Sequence, residues 1–200
     1  MDDKADRGMA GDEVRILEVR ILAEGHGILK TTRFEHRRFD GTWQTLNRET
    51  YSSGDGCAVL AYDPGRGRVL LVRQFRFPAY AAGHLTPLVE VIAGLVDENP
   101  PDVAVIKEAR EEAGVVLRTV RPVFEAFMSP GAITERLSFF VAEYDGADRT
   151  GAGGGLPGEG EDIEVLEPTG DEAMAMIGDG RIVYAKTIML LQHARLTGLI

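Results

Sequence analysis

"KEAREEAGV", Lys107–Val115, sets three glutamates and two cations on nine residues and stops at a glycine. Upstream, Pro100-Pro101 can begin a helix but not continue one, and Asp102 puts an anion in the first turn. Gly114 suits the left-handed position that ends a helix, so a helix is predicted over Asp102–Ala113. At about 100° per residue, Glu108, Glu111 and Glu112 share an arc of roughly 100°, and Val105, Ile106, Ala109 and Ala113 share the adjacent one. One face packs and the next gathers carboxylates. Glu108 and Glu112, four apart, repel by only a few tenths of a kcal/mol in an isolated helix. Taken alone, the stretch reads as a solvated acidic face. Its flanks decide otherwise.

Before it, "CAVLAY", "RVLLVRQF" and "LVEVIAG" are short apolar runs punctuated by the turn sequence "DPGRGR", so Cys57–Gly94 reads as successive strands. After it, "PVFEAFM", "LSFFVAEY" and "DIEVLEP" are again strand-like, whereas Asp171–Ile177 and Lys186–Leu196 carry helical spacing. Val14–Thr50 is strand-like around Asp40-Gly41, a dipeptide suited to a tight hairpin. The expectation is an α+β chain, a mixed sheet with few helices and a small N-terminal β appendage. Residues 1–11 read as a disordered tail, 12–50 as the β subdomain and 51–200 as the main domain. Because isolated ribbons are marginal in water, the exposed edges of 12–50 predict cover by a second subunit, a homodimer.

At 200 residues, 44% hydrophobic and 27% charged, the chain can bury one sizeable core, and no apolar run is long enough to span a membrane. The net charge of −10 opposes binding to nucleic acid. An anionic ligand would need local arginines or metal ions. "MDDKADRGMAGDEV" lacks the layout of a secretory signal, and the single cysteine, Cys57, sits in an apolar run; both predict a cytoplasmic location. The four histidines show no metal-ligand spacing and read as structural.

The segment "DGADRTGAGGGLPGEGED", Asp145–Asp162, is rich in glycine and acidic residues, and by composition alone it reads as a flexible connector. It lacks the Lys-Ser/Thr of a phosphate loop. Arg73 and Arg76 in "RQFR" stand at the end of an apolar strand, where guanidinium forks match phosphate oxygens. An oxygen-only set such as Glu108 and Glu112 selects hard cations, so Mg²⁺ or Mn²⁺ is expected rather than Zn²⁺.

Gly94, Glu108-Ala109, Glu111-Glu112 and Gly114-Val115 together resemble the signature of the Nudix superfamily: Gly, five residues, Glu, seven residues, then Arg-Glu-aliphatic-any-Glu-Glu-any-Gly-aliphatic. Pro100 stands where the first Glu belongs, Lys107 replaces the Arg, and the spacer before Lys107 is one residue short. The GDP-mannose pyrophosphatase branch of the superfamily looks one residue short in the same place, with Lys there. "VRQFR", "FEAFMSPGAITE", "FFVAEY", "AGGG", "EDIEVLE" and Lys186-Thr187 also resemble that branch, and the likeness runs from about Arg48 to Leu191.

The resemblance implies a mixed sheet sandwiched between helices, and Mg²⁺-dependent hydrolysis of the pyrophosphate bond in a nucleoside diphosphate sugar. It implies that the carbonyl of Ala93 joins Glu108 and Glu112 at a first metal, that Glu111 supports a second, and that Glu161 approaches the metals from the glycine loop as a further ligand. Glu161, with Glu159 as its neighbour in "GEGED", becomes the candidate base, which makes the loop functional. Arg76, Glu90, Gly94, Glu135 and Lys186 become substrate contacts beside Arg73, as do Ser129 and Gly131 of "SPG". Arg48 and Glu49 would reach the partner subunit's site. "SPG" is also similar to the ADP-ribose pyrophosphatases, which makes an ADP-ribose pyrophosphatase the enzymatic alternative. A non-catalytic nucleotide-sugar sensor is the alternative of another class.

Overall fold

The computed structural model describes residues 13–96, 98–156, 158 and 160–200. The expected tail at 1–11 and Glu159 lie outside the described residues. The chain divides into two compact units, one holding the N-terminal residues through Gly54 together with Phe127–Glu135, the other holding Asp55–Ala126 and Arg136–Ile200.

In the first unit, β1 (Val14–Glu24), β2 (Ile28–Arg37) and β3 (Trp43–Ser52) form an antiparallel sheet in that order. The hairpin expected at Asp40-Gly41 is present. Gly41 takes φ 84°, and Asp40 Oδ1 accepts the Thr42 N–H at 2.9 Å and its hydroxyl at 2.6 Å, so the ladder restarts with Trp43 opposite Arg37. The 127–135 segment joins this unit through β3: the Tyr51 N–H donates to Ala132 O at 2.9 Å, and Thr134 N–H donates to Tyr51 O at 3.1 Å. Strand β1 is an edge, and its Ile16, Leu17, Val19, Ile21 and Leu22 are exposed.

The second unit is built on β4 (Asp55–Asp63) and β5 (Arg68–Gln74), followed by α1 (Phe77–Ala81), β6 (Leu88–Glu90), β7 (Ile92–Val96) and α2 (Pro101–Ala113). Then come β8 (Arg121–Phe127), β9 (Arg136–Glu143), β10 (Ile163–Leu166), α3 (Gly170–Gly178) and α4 (Ala185–Leu196). The sheet runs β10-β5-β4-β9-β8, with β6 added to β5 and β7 to β4. The β4–β9 pairing is parallel, while β4–β5, β4–β7, β5–β6 and β5–β10 are antiparallel, which makes the sheet mixed.

Successive side chains of a strand point to opposite faces, and β4 serves both. Cys57, Val59 and Ala61 pack in one core with Val105, Ala109 and Ala113 of α2. Ala58 and Leu60, equally buried, face the other way, where α4 packs on β4, β6 and β9 with Leu190, Leu191 and Ala194 fully enclosed. The sheet is therefore sandwiched between helices, as the resemblance implies. Helix α2 begins at Pro101 with the Pro100 carbonyl accepting from Val103 and Ala104, both at 3.0 Å, and ends at Gly114 in the left-handed conformation, φ 63°. Helix α1 is absent from the expected elements; five residues are too few to show a period.

Candidate active site

The face of α2 that carries Glu108 and Glu112 lies on β7. A Cβ on Gly94 would stand 2.3 Å from the Glu108 carboxyl carbon, so only a glycine there lets the Glu108 side chain lie across the strand. One residue earlier, the Ala93 N–H donates to Glu112 Oε2 at 3.3 Å. Gly94 with Glu108 and Ala93 with Glu112 are thus two of the residue pairs through which strand and helix meet.

Glu112 is only 1% exposed. Burial, reinforced by the charges of Glu108 and Glu161 and opposed by the Ala93 N–H and Arg76, raises its pKa from 4.5 to about 8. Glu112, Glu108 and Glu161 thus share one electrostatic neighbourhood. Among the described residues Glu112 has no ion-pair partner. Glu111, on the same helix, pairs with Lys107 at 3.4 Å.

Arg76, one residue before α1, grips Glu90 with two parallel bonds, Nε to Oε1 at 3.0 Å and Nη2 to Oε2 at 2.9 Å. Glu90 is 1% exposed, and by register with Val72 it faces α2. Lys186 lies in the first turn of α4, its Nζ 5.5 Å from the ring centroid of Tyr184. Arg73, by alternation, points to the opposite sheet face, pairs with Glu164, and lines a cleft of about 610 Å³ with His84, Val89, Leu166 and Arg181. Arg73 and Arg76 are therefore not a pair in space. Gln74 shares the α2-side face of β5 with Val72; its amide nitrogen is buried and has no partner among the described residues. The "RVLLVRQ" alternation carried the signal, since Leu70, Val72 and Gln74 fall on one inward face.

The glycine segment is docked. The last carbonyls of a helix lack partners within it, and here Gly154 N–H donates to Glu112 O at 3.0 Å and Gly155 N–H to Glu111 O at 3.1 Å. Gly153, at φ 73°, passes so close that a Cβ would stand 2.3 Å from Glu112 O. Gly155, at φ 78°, likewise makes room for Glu161, whose Oε2 accepts the Leu156 N–H at 2.8 Å. The strip that composition reads as a connector is a fitted cap on the carboxylate helix, and it carries Glu161 at its far end.

The remaining candidates belong to the first unit. Arg48 and Glu49 lie on β3, opposite Thr32 and Thr31. Ser129 closes a turn, its carbonyl accepting from Ala132 at 3.1 Å and Ile133 at 2.9 Å; Gly131 lies in that turn and Glu135 ends the segment.

Among the described residues no three His, Cys, Asp or Glu side chains converge as a complete metal cage. A hard cation that keeps part of its water shell needs fewer protein ligands, and the site fits one. Its donors are oxygens, and Glu112 is a buried carboxylate that holds a proton to about pH 8 because neighbouring carboxylates add to its burial. A positive charge beside it would reverse that balance. Among the described residues no helix is long and apolar enough to cross a membrane.

The profile described as the GDP-mannose pyrophosphatase NudK N-terminal domain matches residues 13–51, and that of the NUDIX domain matches 53–177. A protein of Pectobacterium atrosepticum named GDP-mannose pyrophosphatase is 46% identical over 186 residues, 92% of this chain and 95% of its own length. Proteins of the same name from Klebsiella pneumoniae and Escherichia coli O157:H7 are 41% and 39% identical, over 93% and 94% of this chain and 93% and 98% of their own. A solved structure titled as an ADP compounds hydrolase superposes with a TM-score of 0.70 at 18% identity, covering 94% of this chain and 96% of that one.

Proposed function

The chain belongs to the Nudix family of hydrolases, and from that membership we propose that its carboxylate face hydrolyses GDP-mannose to GMP and mannose 1-phosphate. The observation that carries the reading is the buried Glu112 beside Glu108 and Glu161, combined with end-to-end likeness to relatives that bear that activity in their names.

Nudix hydrolases work with a divalent cation; here we assign Mg²⁺, with Mn²⁺ able to substitute, because every candidate ligand is an oxygen. Glu108, Glu112 and the Ala93 carbonyl would hold it, with Glu111 supporting a second ion. When bound, the cation supplies charge neutralisation at the phosphate oxygens.

The chain's own groups do the rest. Arg76, held flat by Glu90, presents its guanidinium toward the pyrophosphate, and Lys186 adds a second cation. Glu161 accepts the proton of the attacking water as the water oxygen bonds to phosphorus and the bridging P–O bond breaks. The Leu156 N–H, already on Oε2, fixes the orientation of that carboxylate. Gly94 gives Glu108 its room at the strand. From the resemblance we also carry Ser129, Gly131 and Glu135 as substrate contacts, and Arg48 and Glu49 as contacts contributed by the partner of a homodimer built on residues 12–50. Cys57, buried and unpaired, suits a reducing compartment, which we take to be the cytoplasm.

The test is competition. With GDP-mannose and ADP-ribose together in one Mg²⁺-containing reaction, GDP-mannose should be consumed with a kcat/KM about ten- to two-hundredfold higher, the range a few polar contacts provide. Preferential loss of ADP-ribose would overturn the assignment of the substrate.

A further inference from the structure

Between β6 and β7 the chain changes partners. Through Glu90 it pairs with β5, and from Ile92 onward with β4. Val91 falls in the gap, fully buried and outside both ladders, and an unmatched buried N–H is costly. The missing acceptor comes from the opposite layer. Thr187, in the first turn of α4 and 0% exposed, accepts the Val91 N–H on Oγ1 at 2.9 Å, and the same hydroxyl reaches Val89 O at 3.5 Å. A hydroxyl can accept and donate at once, which no apolar side chain of the same shape can do.

The groups proposed for catalysis radiate from this gap. One residue before Val91 is Glu90, whose carboxylate holds Arg76; two residues after it is Ala93, whose N–H reaches Glu112. The Ala93–Glu112 bond, at 3.3 Å, is already near the long end of the range, so a small shift of the strand would lose it.

We propose that Thr187 is a positioning residue for the hydrolytic site: its hydroxyl pins the partner switch at Val91 and so sets Arg76, through Glu90, and Glu112, through Ala93, in one frame. This rests on the reading of that face as the hydrolytic site. Thr187 touches no substrate; it acts through the strand.

Three variants test it: T187V, which keeps the shape and removes the hydroxyl; T187S, which keeps the hydroxyl; and L190A, which opens the α4 core one turn away without touching the pin. The expected result is a fall in kcat/KM for GDP-mannose of about tenfold or more in T187V, with T187S within about threefold of the unaltered protein. L190A should melt as early as T187V or earlier and still keep its kcat/KM within about threefold. Hydrogen exchange should show the Val91 amide losing protection in T187V and keeping it in L190A. Turnover of T187V within threefold of the unaltered protein, a T187S as impaired as T187V, or activity lost in L190A in proportion to stability would each overturn the pin. Should T187V fail to fold, T187A against T187S makes the same comparison. If the unaltered protein does not hydrolyse GDP-mannose at all while Val91 exchange still accelerates in T187V, it is the substrate reading that fails.

Discussion

Glu112 is a buried carboxyl at the centre of the proposed site. Its folded pKa of about 8 lies above the ordinary 4.5, so the fold binds a proton that the unfolded chain releases. The stability linked to that proton is complete below about pH 4.5 and is lost as pH rises through about 8. Metal-free protein should therefore melt at progressively lower temperature across that window. Glu112→Gln should flatten the slope and melt higher than the unaltered protein at pH 8, which calorimetry in the presence of a chelator can follow; a parallel slope in the variant would place the titration elsewhere. The same substitution should cost a thousandfold or more in turnover, roughly 4 kcal/mol or more of transition-state stabilisation, with the fold kept. If Glu161 is the base, as proposed, Glu161→Gln should act differently, lowering kcat far more than it raises KM, because a base is needed only as the water attacks. A rise in KM with kcat unchanged would make Glu161 a binding residue.

Among the elements, the glycine strip and α2 behave as one piece. Gly153→Ala would put a methyl group against the Glu112 carbonyl at a left-handed φ, and should cost about 2 kcal/mol or more while displacing Glu161 and lowering kcat. Gly158→Ala, with nothing within 4 Å among the described residues, is the control and should leave both melting and turnover unchanged. Helix α2 itself was legible beforehand because each end has a local chemical cause: the Pro-Pro entry, and Gly114, which alone accepts the left-handed exit. The strands were legible from alternation. What stayed hidden depends on distance rather than pattern. Composition cannot distinguish a glycine that is loose from one that is pressed against a carbonyl, and a helical wheel places Glu112 beside the apolar face without revealing that it is buried. Nor does a count of residues show that Arg73 and Arg76, three apart at a strand end, serve opposite faces.

For the whole molecule, the first unit presents β1 as an open edge with exposed Ile16, Leu17, Val19, Ile21 and Leu22. Edges of this kind are usually paired or covered. Light scattering should find a homodimer at micromolar concentration, and Ile21→Lys should shift it toward monomer. A chain that is monomeric throughout would remove the cross-subunit assignment of Arg48 and Glu49 and leave the hydrolytic face untouched.

The contacts Gly94–Glu108 and Ala93–Glu112 join strand to helix directly, while the chain at Glu98–Asn99 is exposed and Pro100 needs only its carbonyl to start α2. The register of the site is thus set across space, not along the chain. A missing residue in this connection, or a proline in place of a glutamate, leaves the two clasps intact. In this chain the carboxylates are placed by which strand residue each helix residue touches, and the number of residues between them is incidental.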